Sequence, residues 1–172
     1  DNVTPNELIG ALLSAKTDLL WVGGIGTYLK ETGETHLDVG DRANDSIRIN
    51  ANQLNTKVVG EGANLGVTQR GRIEAALSGV RLYADSIDNS AGVDCSDHEV
   101  NIKILIDQVM AKGELTQKQR NSLLAQMTTE VGLQVLVDNY SQTQAINMIL
   151  YQGMGIFDNQ VRLMRSLEKS GR

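Results

Sequence analysis

The sequence lacks the features that would indicate secretion, a membrane or nucleic acid. It contains a single cysteine, Cys95, which cannot form an internal disulfide. No apolar run approaches the ~18 residues of a membrane span, and the first residues do not follow the basic-then-apolar pattern of a signal peptide. The 16 Lys and Arg against 21 Asp and Glu give a net charge of −5, which provides no attraction for phosphate backbones or anionic lipid. We therefore predict a cytoplasmic protein with no nucleic-acid or membrane partner.

The composition is that of a folded domain. Apolar residues make up 41% of the 172 positions and charged residues 22%, which excludes disordered and fibrous classes. The length suits one domain with an appendage. Because the chain begins with Asp1 rather than Met and ends on "SLEKSGR", we expect it to be a piece of a longer protein.

The first part of the chain predicts a helix followed by a buried strand. Thr4 stands three residues before Glu7, as in a capping box, and Pro5 occupies a position that tolerates a missing N–H, so a helix is predicted over 5–16. The short apolar run before "GGIG" predicts a strand over 18–22.

The next stretch has a weaker pattern. Residues 30–41 are polar and rich in turn formers, which predicts a surface loop. From Asp41 to Leu54 the apolar spacing favours a helix that begins at Asp41. The "GDRAND" motif could instead line a ligand groove, and the sequence does not decide between the two.

Strands and helices then alternate. The pattern predicts a strand over 56–60, a helix from Thr68 to Ser78 that ends at Gly79, and a third strand over 80–87.

Two further capping boxes predict the C-terminal helices. Ser96 precedes Glu99 by three residues and would begin a helix that ends at Gly113. Thr116 and Gln119 form the next box, and a mostly helical tail follows.

Alternating strands and crossover helices indicate an α/β fold with a parallel sheet. We predict a partial Rossmann-like sheet of about three strands in residues 1–112 and a C-terminal helical extension in residues 113–172. The extension carries apolar residues at helical spacing, of which a surplus face would favour self-association. These residues are Leu123, Leu124, Met127, Val131, Leu133 and Val135.

Glycine and small polar residues follow each predicted strand, at 22–28, 60–66 and 88–99. Ligands of open parallel sheets bind beyond the carboxyl ends of the strands. Bare backbone with an asparagine suits a planar ligand that carries an amide, such as nicotinamide. Glycine and asparagine are also ordinary turn residues. The G-x-G-x-x-G fingerprint is absent, so the turn that binds the pyrophosphate is not expected here.

The second and third of these segments, taken together, indicate a protein family more specifically than either does alone. "VVGEGAN" followed by "IDNSAGVDCSDHEVN" resembles the glutamate dehydrogenases, and the wider sequence resembles the very large bacterial NAD-specific class. The resemblance implies part of an NAD-dependent enzyme that converts L-glutamate to 2-oxoglutarate and ammonia. It makes residues 1–112 the C-terminal half of a dinucleotide-binding domain. It also implies a homo-oligomeric parent protein.

The resemblance assigns roles residue by residue. Asn64 matches the asparagine by the nicotinamide ribose, and Asn89 matches the one that meets the nicotinamide carboxamide. Gly92 and Val93 match residues that line the substrate pocket, and Ser96 matches the serine that holds the substrate's side-chain carboxylate. As a capping-box serine, Ser96 has a purely structural alternative.

Three glycines complete the predicted cofactor site: Gly23, Gly24 and Gly62. Because the family's catalytic lysines and aspartate lie upstream in a separate domain, no catalytic residue is expected in this chain. We therefore expect the isolated chain to have no turnover. Glu61 is expected to pair with Arg70 or Arg72 rather than to act in catalysis.

A metal site is not predicted from the soft ligands. Cys95 and His98 form a Cys-x-x-His, and His36 is the remaining histidine, whereas a closed zinc site needs four ligands.

Two other functions stay open at this stage. A phosphoryl or methyl transferase can use the same fold, but it would need a phosphate loop or a catalytic base that the sequence does not offer. A non-catalytic assembly module would use the helical tail as its working surface.

Overall fold

The computed structural model describes residues 2–171 and contains four strands and seven α-helices in that range. The strands are β1 (Thr17–Val22), β2 (Leu29–Lys30), β3 (Ile49–Asn50) and β4 (Thr56–Glu61). The helices are α1 (Pro5–Leu13), α2 (His36–Val39), α3 (Gln69–Leu77), α4 (Asp85–Asp88), α5 (Ser90–Ala111), α6 (Gln117–Gln152) and α7 (Phe157–Lys169).

The sheet that positions the site is a parallel pair, β1 and β4, in register from Thr17 opposite Thr56 to Val22 opposite Glu61. The predicted third strand over 80–87 is wrong as a strand, because within the described residues only Arg81 pairs with β4, in a single bridge to Val58. Strands β2 and β3 form a second, very short parallel pair.

One hydrophobic core lies between the two strand pairs and α3. Alternate residues of β1 and β4, among them Val22 and Val59, face this core together with Leu29 and Ala75. Leu29 and Ala75 have no exposed surface. The tips of β1 and β4 are therefore fixed by the packing beneath them.

Helix α1 confirms the first capping box, since Thr4 and Glu7 bond reciprocally and Pro5 is the first helical residue. The helix ends at Leu13, three residues earlier than predicted.

The predicted helix over 41–54 is wrong. The segment contains two short 3-10 turns, Arg42–Asn44 and Ala51–Gln53, on either side of β3. The reason is the buried side chain of Arg48, whose Nε donates to Thr27 O at 2.7 Å. Its Nη1 reaches Asp45 at 2.6 Å. The guanidinium thus holds the segment against the loop after β1, and the neighbouring 30–41 stretch contains the single-turn helix α2.

The C-terminal half is helical, as predicted, but its first helix begins earlier in the chain than predicted. Helix α5 begins at Ser90, so the prediction that Ser96 caps a helix is wrong, and residues 90–99 are helix rather than loop. Gly113 follows this helix with a φ of 75°, and Thr116 forms the predicted capping box with Gln119 at the start of α6. Helix α6 packs against α5.

The predicted fold class is confirmed: the chain is mixed α/β, with a small parallel sheet and a long C-terminal helix. In residues 2–171, none of the helices combines the length and apolar character that a membrane crossing requires.

Candidate functional site

The turn after β4 presents Asn64 at the tip of the sheet. Leu65 takes a φ of 58°, in the left-handed region that side chains seldom occupy. The carboxylate of Asp85 supports this conformation, since Asp85 Oδ2 accepts from Leu65 N at 2.8 Å. Asn64 itself is exposed.

A buried ion pair anchors the base of this turn. Glu61 has no exposed surface, and its Oε1 accepts from Arg72 Nε at 2.9 Å and from Arg72 Nη2 at 2.6 Å. Oε2 accepts from Val67 N at 3.2 Å. Of the two predicted partners, Arg72 and not Arg70 makes the pair. Burial raises the pKa of Glu61, and the bonds from Arg72 partly offset that rise.

A hydrogen bond also connects the end of β4 to the residues just before α5. Asp88, the last residue of α4, accepts from Glu61 N at 2.9 Å. Burial raises the pKa of Asp88, and this backbone bond opposes the rise. The bond fixes the end of α4 beside β4, so the next residue, Asn89, lies between α4 and α5 and close to the Asn64 turn.

The two asparagines meet directly. Asn89 Nδ2 donates to Asn64 Oδ1 at 2.6 Å. Both side chains line one open cavity of about 360 Å³. Gly92, Val93, Ser96 and Asp97 complete its lining. Five of the residues predicted from the sequence therefore lie around one cavity.

Gly92 has a local reason to be glycine. A Cβ at this position would lie 2.7 Å from Asn89 Oδ1. A larger residue would therefore displace the Asn89 amide from its bond to Asn64.

The matching protein family is described as bacterial NAD-glutamate dehydrogenase, catalytic domain, and its match covers residues 1–149. The chain belongs to this family. An NAD-specific glutamate dehydrogenase of Halomonas elongata is 58% identical over 174 residues, which cover 99% of this chain. The enzyme of the same name from Pseudomonas aeruginosa is 54% identical over 172 residues and 100% of the chain.

A third relative, the NAD-specific glutamate dehydrogenase of Mycobacterium tuberculosis, is 58% identical over 140 residues and 81% of this chain. The chain spans 11% of the length of the first two relatives and 9% of the third.

The three remaining predicted glycines lie outside the cavity lining. A Cβ on Gly62 would lie 2.3 Å from Cζ2 of Trp21, so the indole that packs across β4 already requires glycine there. Gly23 and Gly24 follow β1 at the same edge of the sheet, and a Cβ at either would make only ordinary contacts, at 3.5 Å or more.

Ser96 lies in the second turn of α5 and faces the cavity. A residue inside a helix does not cap it, so the structural alternative for this serine is removed.

Sequence reasoning missed Asp97, which stands beside Ser96 in the lining. No motif marks it. Only its place next to a predicted site residue could have suggested it.

Proposed function

We propose that this chain forms part of an NAD-dependent glutamate dehydrogenase that converts L-glutamate to 2-oxoglutarate and ammonia. In this proposal the chain supplies the nicotinamide side of the cofactor site. The observation that carries it is the direct bond between Asn64 and Asn89 over a common cavity. The names of the relatives agree with the cofactor and the substrate.

The lining suits the nicotinamide end of NAD. An asparagine amide has an acceptor and two donors, so the mutual bond leaves each asparagine with further capacity for a carboxamide or a ribose hydroxyl. Small-molecule sites commonly measure ~300–1,000 Å³, and this cavity measures about 360 Å³. NAD held by these residues would supply the acceptor for the hydride that leaves the α-carbon of glutamate.

Each residue has a separate proposed role. Asn89 orients the carboxamide, and Asn64 bonds the nicotinamide ribose. Gly92 and Val93 border the substrate, and the Ser96 hydroxyl donates to its side-chain carboxylate. Gly23, Gly24 and Gly62 allow the cofactor to approach the ends of the strands.

The proposed site is not catalytically complete by itself. None of the six residues that line the cavity carries a positive charge, and Asp97 adds a negative one. The two carboxylates of glutamate would therefore need cationic groups from elsewhere. This supports the proposal that the catalytic residues lie in other parts of a longer enzyme and that this chain alone is inactive.

The proposed division of the chain follows from these roles. Residues 1–112 are the C-terminal half of a dinucleotide-binding domain, because they contain both strand tips and the asparagines. Residues 113–172 are a helical extension. We further propose that the parent enzyme is a homo-oligomer, since exposed apolar residues such as Leu133, Leu136 and Val137 occur along α6.

The test is Asn89→Ala in the full-length enzyme that contains this chain. Because one hydrogen bond contributes ~0.5–1.5 kcal/mol, the apparent KM for NAD should rise by ~2–10-fold, and kcat should fall if the nicotinamide is misoriented. Asn121→Ala is the matched control, since Asn121 is an exposed asparagine on α6 whose side chain, among residues 2–171, accepts from Gln117 Nε2 and makes no other hydrogen bond. Unchanged kinetics for Asn89→Ala, or an equal change for Asn121→Ala, would remove the proposed role.

A further inference from the structure

A second cluster of functional groups joins α5 to α6, away from the asparagine cavity. Asp94 and His98 are one helical turn apart on α5, and Asp138 faces them from α6. His98 Nε2 lies 3.2 Å from Asp138 Oδ2 and 3.5 Å from Asp94 Oδ1. One nitrogen and two carboxylate oxygens therefore converge within 4.8 Å of one another.

The histidine does not satisfy both carboxylates. The contact with Asp138 is within hydrogen-bond distance, whereas 3.5 Å to Asp94 is beyond the usual range for N–H···O. The other oxygen of Asp94, Oδ2, is buried without any hydrogen-bond partner. In residues 2–171, it is the one buried side-chain nitrogen or oxygen of which this is true.

A buried carboxylate oxygen without a donor is costly, because that one oxygen has lost its water and has no hydrogen bond in its place, even though the Asp94 side chain as a whole is 22% exposed. Two other carboxylates of this chain have donors: the buried Glu61 accepts from Arg72 and Val67 N, and the partly buried Asp88 accepts from Glu61 N. At Asp94 the available surroundings are a second carboxylate and an imidazole. A divalent ion among these three groups would neutralise both carboxylates.

The spacing of the three groups fits a small divalent ion. Zinc binds imidazole nitrogen and carboxylate oxygen at ~2.0–2.2 Å, so two ligands of a tetrahedral site lie about 3.4 Å apart. The two distances from His98 Nε2, 3.2 and 3.5 Å, bracket that value. Nitrogen among the ligands favours zinc and similar transition metals over magnesium and calcium, which prefer oxygen alone.

We propose that Asp94, His98 and Asp138 bind one divalent transition-metal ion, with zinc as the expected occupant, and that this ion ties α5 to α6. Three protein ligands leave a further position for water. The site is structural in its effect: it fixes the helix that carries Gly92, Val93 and Ser96 against the helical extension. The proposal does not depend on the dehydrogenase function.

The sequence conceals this site because its ligands are far apart in the chain. Asp94 and His98 have the i, i+4 spacing of any helical ion pair, and Asp138 is forty residues beyond His98. The prediction that no metal binds considered only Cys95 and the two histidines.

The test is calorimetric titration of the 172-residue chain with zinc chloride after treatment with a chelator. We expect one zinc per chain for the wild type. Loss of a residue that only hydrogen-bonds a metal ligand typically weakens metal binding by ~10–100-fold, and loss of a ligand itself should weaken it more. His98→Gln and Asp138→Asn should therefore each lose the saturable site. Zinc should raise the Tm of the wild type and leave that of His98→Gln unchanged. Magnesium should do neither.

Two matched variants make the result specific. His36→Gln removes the other histidine, whose Nδ1 lies 3.7 Å from Asp45 Oδ1. Cys95→Ser removes the thiol of the residue that follows Asp94 in the sequence. Both should bind zinc as the wild type does, and circular dichroism checks that all variants retain the same helix content. No saturable zinc binding by the wild type, equal affinity in the wild type and His98→Gln, or loss of binding in Cys95→Ser would each overturn the proposal.

Discussion

Replacement of Arg72 by methionine should strongly destabilise the fold, because it leaves the carboxylate of Glu61 buried without its cation. Glu61 has no exposed surface, and Arg72 supplies two of the three donors that reach it. The remaining donor, Val67 N, bonds the other oxygen at 3.2 Å. Methionine preserves most of the side-chain volume, so the change removes chiefly the charge.

The expected loss in the free energy of unfolding at pH 7 is about 3 kcal/mol. Breaking a buried pair by removing one partner costs ~3–5 kcal/mol. We expect the lower end of that range because the bond from Val67 N survives. Against a total stability of ~5–15 kcal/mol for a typical domain, such a loss is large.

The loss should depend on pH. Burial raises the pKa of Glu61 above its value in the unfolded chain, and removal of Arg72 should raise it further. Between the unfolded and folded pKa values the folded state binds more protons, so stability falls as pH rises through that window. The defect of Arg72→Met should therefore be greatest at neutral pH and smaller in acid, where Glu61 is protonated.

Urea unfolding followed by circular dichroism measures these differences. Arg70→Met is the matched control, since Arg70 is an exposed arginine on the same helix, and it should change stability by less than ~0.5 kcal/mol. The double variant Glu61→Leu with Arg72→Met should be more stable than Arg72→Met alone, because no buried charge remains. A stability of Arg72→Met within ~0.5 kcal/mol of the wild type at pH 7 would refute the reasoning.

Three other predictions follow from the same structure. Gly62→Ala should lower the free energy of unfolding, measured in urea, by ~1–3 kcal/mol, because its Cβ would lie 2.3 Å from the Trp21 ring. In the control Gly10→Ala, the added Cβ meets nothing within 4 Å in α1, so this variant should be neutral or stabilising. Equal losses in the two variants would contradict the account. Ser96→Ala in the full-length enzyme should raise the apparent KM for glutamate by ~2–10-fold without a comparable change for NAD, whereas an increase confined to NAD would assign the serine to the cofactor. The 172-residue chain alone should give no glutamate-dependent reduction of NAD, followed by the absorbance of NADH, and measurable turnover would show that its site is complete.

The elements that the sequence predicted well are those determined by local contacts. Thr4 and Thr116 begin helices because each bonds residues within its own first turn. The strands at the centre of the core, β1 and β4, are visible as short apolar runs that end at glycine. The pairing of Asn64 with Asn89 could be expected from the family resemblance, while the rule for ligands at strand ends applies to Asn64 alone, since Asn89 follows α4 and not a strand.

The errors occurred where distant side chains determine the backbone. The segment 41–54 follows the buried guanidinium of Arg48, which donates to the backbone oxygens of Thr27 and Asp41. The end of the predicted third strand is replaced by α4, in which Asp88 accepts from the last residue of β4 and Asp85 accepts from the turn after it. Such contacts leave no periodic pattern in the local sequence.

The most direct test of the central claim is a structure of the full-length enzyme with NAD bound. The account predicts that the nicotinamide carboxamide lies within hydrogen-bond distance of the Asn89 side chain and the adjoining ribose within that distance of Asn64. A nicotinamide bound elsewhere, with the asparagine cavity filled by another part of the enzyme, would contradict it.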